Sequence, residues 1–271
     1  MIHGSGLNKL NTTKMKLLIT LVSFSVLLGF SSCEKVIDVD LNDTEQKVVI
    51  EGSILRGDTL QRVRITKTQN FDESTAPPTV DNAVVTVIDN LGNAAVFTSV
   101  GNGWYELTGY PGVEGRTYTL TATVEGTTYS GSSIMPSYQA MDTLYVEFYP
   151  FGADTLISLV PAHFDQQGVP NYYQFHVYIN GTRDKTVYLQ NDQFTDGNLT
   201  VEPLFVSDLL LEDTVRVDLF CIDKPVYTYF NQLGVNSSSS ATPANPISNL
   251  NGGCLGYFSA RTVHSRTIIV N

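Results

Sequence analysis

Apolar residues recur at every second position through much of the chain between Val48 and Pro136. The runs are Val48-Val-Ile-Glu-Gly-Ser-Ile-Leu, Arg62-Val-Arg-Ile-Thr-Lys-Thr, Ala83-Val-Val-Thr-Val-Ile, Ala95-Val-Phe-Thr, Trp104-Tyr-Glu-Leu, Tyr118-Thr-Leu-Thr-Ala-Thr-Val and Thr128-Tyr-Ser-Gly-Ser. Period two with β-branched enrichment predicts half-buried strands. Arg56-Gly-Asp, Asp89-Asn-Leu-Gly-Asn, Gly101-Asn-Gly and Glu125-Gly supply the turns between them. Tyr118, Leu120, Ala122 and Val124 share one face, with Thr119, Thr121 and Thr123 on the other. About seven short strands over about 90 residues, with no helical period, predict an immunoglobulin-like β-sandwich over 48–136. Trp104 is assigned to its core.

Between 141 and 271 the strands lengthen and become more aromatic. Asn171-Tyr-Tyr-Gln-Phe-His-Val-Tyr-Ile-Asn-Gly-Thr reads as a strand closed by an Asn180-Gly181 turn. Tyr173, Phe175, Val177 and Ile179 share one of its faces, and Tyr172, Gln174, His176 and Tyr178 the other. Thr214 to Ile222 is another strand. Asp223-Lys-Pro-Val-Tyr-Thr-Tyr-Phe-Asn-Gln-Leu-Gly predicts a short helix, with Asp223 as N-cap, Pro225 in the first turn and Gly234 as terminator. Ser237 to Pro246 is a polar loop. Gly256-Tyr-Phe-Ser-Ala and Arg261 to Val270 are the last strands. The fold class is therefore all-β, an immunoglobulin-like sandwich followed by a second mainly-β domain with one short helix.

The N-terminal segment has a different pattern. Leu17 to Phe30 is a short apolar run, preceded by Lys14 and Lys16 and followed by Ser31-Ser32-Cys33. A basic start, an apolar centre and small residues describe a signal peptide over 1–32. The run is shorter than the ~20 residues a membrane helix needs. Met15 is a candidate start, which would place 1–14 upstream. Ser-Ser-Cys resembles a bacterial lipobox, with Phe30 where Leu is usual. Such a site has the Cys33 thiol alkylated by a diacylglyceryl group, and cleavage before Cys33 frees an amine for a third acyl chain. Two or three chains anchor stably where one is marginal. Residues 33–47 read as a polar tether. Its Asp38-Val-Asp-Leu-Asn-Asp is not an EF-hand, because Asp43 and Val49 stand where that loop needs Gly and Glu.

Composition narrows the class. Of 271 residues, 42% are hydrophobic, 10% aromatic and 16% charged, which suits a folded chain rather than a disordered one. Sixteen Lys and Arg against 27 Asp and Glu give −11. Losing 1–32 removes three lysines and no acid, leaving 13 bases against 27 acids, or −14. Nucleic acid is excluded as a general partner, since phosphate binding needs a basic face. The membrane partner is engaged through acyl chains, not surface charge.

Enzyme signatures are missing. The chain has no Gly-x-Ser-x-Gly, no His-Glu-x-x-His, no phosphate-binding loop and no Gly-x-Gly-x-x-Gly. No catalytic residue, cofactor or metal site is therefore assigned. His163, His176 and His264 lack metal-ligand spacing, and His163-Phe-Asp165 is read as a solvated polar edge. Cys221 and Cys254 are either a disulfide, as an oxidising envelope permits, or two free thiols. Tyr227-Thr-Tyr-Phe-Asn and the Asn245 to Gly256 loop are either a recognition surface or packing, with Phe230 and Leu233 buried.

Three segments carry a family resemblance: Cys33-Glu-Lys-Val-Ile-Asp-Val-Asp-Leu-Asn-Asp with Val48-Val-Ile-Glu-Gly, Val113-Glu-Gly-Arg-Thr-Tyr-Thr-Leu, and Asn245-Pro-Ile-Ser-Asn-Leu-Asn-Gly-Gly-Cys-Leu-Gly-Tyr-Phe-Ser-Ala. The chain from Cys33 onward resembles the Bacteroidetes lipoproteins of domain-of-unknown-function family 4249. The resemblance implies an outer-membrane, cell-envelope lipoprotein, often encoded near TonB-dependent receptors. It supplies no reaction. Asp-Thr-apolar triplets at Thr59, Thr143, Thr155 and Thr214 resemble an O-glycosylation sequon of exported Bacteroidetes proteins; the other reading is a turn Asp before a strand. The expected function is a non-enzymatic binding or accessory component of TonB-dependent nutrient uptake. A glycan- or peptide-acting enzyme and a structural or adhesive envelope protein are the alternatives.

Overall fold

The alternating runs become strands because each has one apolar face to bury. The computed structural model describes residues 46–69, 76–152, 154–238 and 245–271. Its first eight strands are β1 (Val48–Leu55), β2 (Leu60–Lys67), β3 (Val84–Asp89), β4 (Ala94–Val96), β5 (Thr98–Gly101), β6 (Trp104–Thr108), β7 (Thr117–Val124) and β8 (Thr127–Ile134). They pair as β1-β2-β6-β5 and β8-β7-β3-β4. Those are the A-B-E-D and G-F-C-C′ orders of an immunoglobulin-type sandwich. Ile50, Ile54, Val63, Ile65 and Tyr105 of one sheet pack against Val85, Val87, Leu120 and Ala122 of the other. Each buried Val, Leu or Ile among them contributes roughly 1.5–3 kcal/mol. At the start of β7 the Tyr118 hydroxyl accepts the Val113 N–H at 2.8 Å. This is the tyrosine corner of such sandwiches.

Trp104 corrects the expectation of a core position. It is 39% exposed, with the Arg64 guanidinium 5.4 Å from its ring centre. In Trp104-Tyr-Glu-Leu the inward pair is Tyr105 and Leu107.

The second half supplies β9 (Thr143–Phe151), β10 (Asp154–Phe164), β11 (Tyr172–Ile179), β12 (Thr182–Arg183), β13 (Tyr188–Asn191), β14 (Leu199–Thr200), β15 (Leu204–Phe205), β16 (Thr214–Ile222), helix α1 (Lys224–Ser238), β17 (Leu250–Asn251) and β18 (Leu255–Ile269). One strand unites the two halves. Leu255 to Arg261 of β18 run parallel to β1, and Thr262 to Ile269 run antiparallel to β16. The result is a nine-stranded sheet, β12-β11-β16-β18-β1-β2-β6-β5, with β13 also on β11. Leu250 to Arg261, expected with the second domain, thus lie in the first sandwich, with β17 on β8.

Strand alternation assigns the layers. Phe258 and Ala260 of β18 enter the first core. On the same face, Val215, Val217, Leu219 and Cys221 of β16, with Tyr173, Phe175 and Val177 of β11, meet Leu144 and Leu159 of β9 and β10 in a second core. The opposite face carries Phe220, Ile222, Tyr257 and Val263, covered by Val226 and Phe230 of α1. Asp223 caps α1 through the Val226 N–H at 3.2 Å and also accepts from Ser133 Oγ (2.8 Å) and the Ile134 N–H (3.0 Å) of β8. Gly234 does not end the helix, which continues to Ser238 without a left-handed residue. Leu233 faces solvent, whereas Phe230 is buried.

Candidate functional site

Cys33 and the segment before Gln46 lie outside the described residues. Thr59, Thr143, Thr155 and Thr214 are all exposed and are spread over both halves. At two of them the preceding Asp also stabilises a turn: Asp58 accepts the Leu60 N–H at 3.0 Å and Asp213 the Leu210 N–H at 2.9 Å.

The candidate disulfide is corrected. Cys221 and Cys254 are both free and buried. Cys221 belongs to the second core, opposite Thr262, and Cys254 to the first. Eight residues of extended chain separate Cys254 from Thr262, roughly 25 Å, far beyond the reach of a disulfide. Burial pushes the Cys221 thiol up to about 11 and raises that of Cys254. Neither is poised as a thiolate at neutral pH.

The aromatic segment of α1 packs rather than projects. Tyr227 lies 5.0 Å from the Tyr172 ring and accepts the Asn191 amide at 2.9 Å. In the Asn245 to Gly256 loop, Asn249 bonds the Phe258 N–H (3.0 Å) and Phe258 carbonyl (2.7 Å), and Ser248 Oγ donates to the Gly256 carbonyl. These contacts hold β17 against β18.

Two features remain as functional candidates. The first is the outward face of the sheet formed by β9, β10, β14 and β15. Tyr145, Tyr149, Leu156, Phe164 and Phe205 stand exposed there, while Ser158, Val160 and Ala162 on the same face are buried. Register places Tyr149 opposite Leu156, and Phe205 beside β10 at Ser158; the Tyr149 and Phe205 rings are 6.0 Å apart. A sheet with one face already on a core usually turns polar side chains outward. An apolar outer face is the signature of a recognition surface.

The second is a polar end to the second core. His163 and Asp165, expected at a solvated edge, are buried, at 0% and 3% exposure, while the intervening Phe164 points outward. Tyr173 organises this end. Its ring centre lies 4.5 Å from that of His163, and its hydroxyl donates to Asp165 Oδ1 at 2.5 Å. Asp192, 9% exposed, accepts the Asn171 N–H at 2.8 Å, and the exposed Asp196 accepts the Gly168 N–H at 2.7 Å. Gly197 N–H donates to Asp165 Oδ2 at 3.2 Å. One carboxylate oxygen from each of Asp165, Asp192 and Asp196 lies within 4.8 Å of the other two. Among the described residues no Lys or Arg forms an ion pair with any of them. The sequence reading missed Asp192 and Asp196. Their signal was two carboxylates in the turn-forming Asn191-Asp-Gln-Phe-Thr-Asp-Gly-Asn segment.

On the opposite face of the large sheet, Arg261 lies 4.3 Å over the Phe220 ring. Burial, with the charges of Arg261 and Arg183, holds His176 down to about 2. Burial likewise lowers His163.

The model of the family described as Domain of unknown function (DUF4249) matches residues 34–267, and the chain belongs to that family. No curated protein matches it.

Proposed function

We propose that this DUF4249 member is a non-enzymatic envelope lipoprotein, anchored by acyl chains on Cys33, that serves a TonB-dependent outer-membrane receptor in nutrient uptake. The anchor reading rests on the Lys14–Cys33 pattern of basic, apolar and small residues. The observation that carries the binding reading is the exposed apolar face around Tyr145, Tyr149, Leu156, Phe164 and Phe205. A lipid-tethered body with a net negative charge would meet its partner through such a face rather than through charge. Receptor partnership itself comes from the family resemblance.

The test is a pull-down from intact cells with a C-terminal tag. Wild type should co-purify a TonB-dependent receptor, and Cys33→Ala should lose both membrane retention and the receptor. Phe205→Glu, on the exposed face, should keep the anchor and lose the receptor. Anchored wild-type protein recovered with no receptor would overturn the reading in favour of free-standing adhesion or an enzyme.

A further inference from the structure

Three carboxylates brought this close repel one another, and more strongly in a partly buried site than in water. The backbone N–H groups of Asn171, Gly168 and Gly197 and the Tyr173 hydroxyl offset part of that charge. One oxygen from each of Asp165, Asp192 and Asp196 nevertheless stays within 4.8 Å of the other two. A triangle of oxygens with sides up to 4.8 Å has its centre within ~2.8 Å of each corner, and a contraction of a few tenths of an ångström reaches the 2.3–2.6 Å of a calcium–oxygen bond.

A second observation is independent of the acids. Two buried side chains near them in the register have a polar atom without a hydrogen-bond partner: Thr200 Oγ1 and Gln190 Oε1. They are 2% and 5% exposed. Alternation gives Gln190 the same face as Asp192, and Gln190 stands opposite Tyr173. Thr200 stands opposite His163 and so diagonal to Asp165. Buried polar atoms are nearly always satisfied by protein, water or an ion. Two such atoms beside three carboxylates that lack an ion-pair partner point to a site that a hydrophilic occupant would complete.

We infer that Asp165, Asp192 and Asp196 bind a hard divalent cation, Ca²⁺ in preference to Mg²⁺, with ordered water linking the ion to Thr200 and Gln190. The ligand set is all oxygen, which disfavours zinc. The wide oxygen spacing suits calcium, since magnesium requires near-ideal geometry at 2.0–2.1 Å. The ion would join the end of β10 to the loops at 165–171 and 191–198, which otherwise meet through a few hydrogen bonds. The inference does not depend on the receptor reading.

The test uses the full chain purified in detergent and stripped with EDTA. Millimolar CaCl₂ should raise the thermal midpoint by several degrees, and MgCl₂ at the same concentration by much less. Tb³⁺ should show emission sensitised through Tyr173, and Ca²⁺ should displace it. Asp196→Asn retains an acceptor for Gly168 and touches no core. It should abolish both responses and leave the metal-free midpoint unchanged. Absence of a calcium response in wild type, a response that persists in both Asp196→Asn and Asp192→Asn, or equal stabilisation by Mg²⁺ would overturn the inference.

Discussion

Tyr118 couples a core ring to a loop through one hydroxyl. Its side chain is fully buried, and the Val113 N–H it accepts has no strand partner. Tyr118→Phe keeps the ring and strands that N–H, which costs roughly 1–3 kcal/mol. Urea unfolding should show this as a lower midpoint with an unchanged slope. Trp104 makes the contrasting case. It is the one tryptophan of the chain and it stands in solvent. Its fluorescence should be quenched by iodide in the native state and shift little on unfolding; strong native shielding would contradict the outward assignment. Both residues lie in alternating runs, so the strands were legible. The phase was not always so. Trp104 and Leu107 sit on opposite phases of one strand, and only the cross-strand neighbour Arg64 and the same-face Glu106 settle which side faces water. His163-Phe-Asp165 reads backwards for a related reason: an apolar residue between two polar ones usually points inward, but here the interior end is itself polar.

At the scale of elements, β18 carries the fold. Its start lies so close to β1 that a Cβ at Gly256 would overlap the Ile50 carbonyl oxygen, and φ there is +97°. Gly256→Ala must therefore push the two parallel strands apart. The expected loss exceeds about 3 kcal/mol, in the range reserved for backbone strain and core disruption, and should appear as a collapsed thermal midpoint or insoluble protein. Asp223 is the corresponding joint for α1. Asp223→Ala removes the N-cap and leaves Ser133 and the Ile134 N–H without their acceptor. A loss of about 1–3 kcal/mol follows, and Asp223→Asn should restore the cap. The cap was legible because Asp before Lys-Pro is a local signal. The partner of Leu255–Arg261 was not. Periodicity reports which face of a strand is apolar, whereas pairing over more than 200 residues of sequence leaves no local mark. The carboxylate cluster was hidden in the same way, because β10 and the 191–198 loop meet only in the folded chain.

At the scale of the whole molecule, one sheet with cores on both faces makes stability a property of the two halves together. Its buried histidines set how that stability varies with pH. His176 lies under the outer layer, where burial and the charges of Arg261 and Arg183 hold it down to about 2, and burial in the second core lowers His163 as well. In the folded protein His176 stays neutral; in the unfolded chain it takes up a proton once pH falls below about 6.5. The unfolded state then binds more protons, so stability is fully present above that value and falls as pH drops. His176 steepens the fall by up to about 1.4 kcal/mol per pH unit, and His163 acts in the same direction. Asp89 adds nothing in this range. Burial pushes its carboxyl up, but bonds from Asn93, Leu91 and Arg116 outweigh that and hold it low, so its contribution is lost only in stronger acid. Urea midpoints measured from about pH 7.5 down to 5 should therefore decline, with His176 contributing about one proton to the slope. His176→Gln, which cannot titrate, should reduce that slope by about one proton. A flat profile in wild type would mean that the His176 ring is protonated, and hence hydrated, in the native fold.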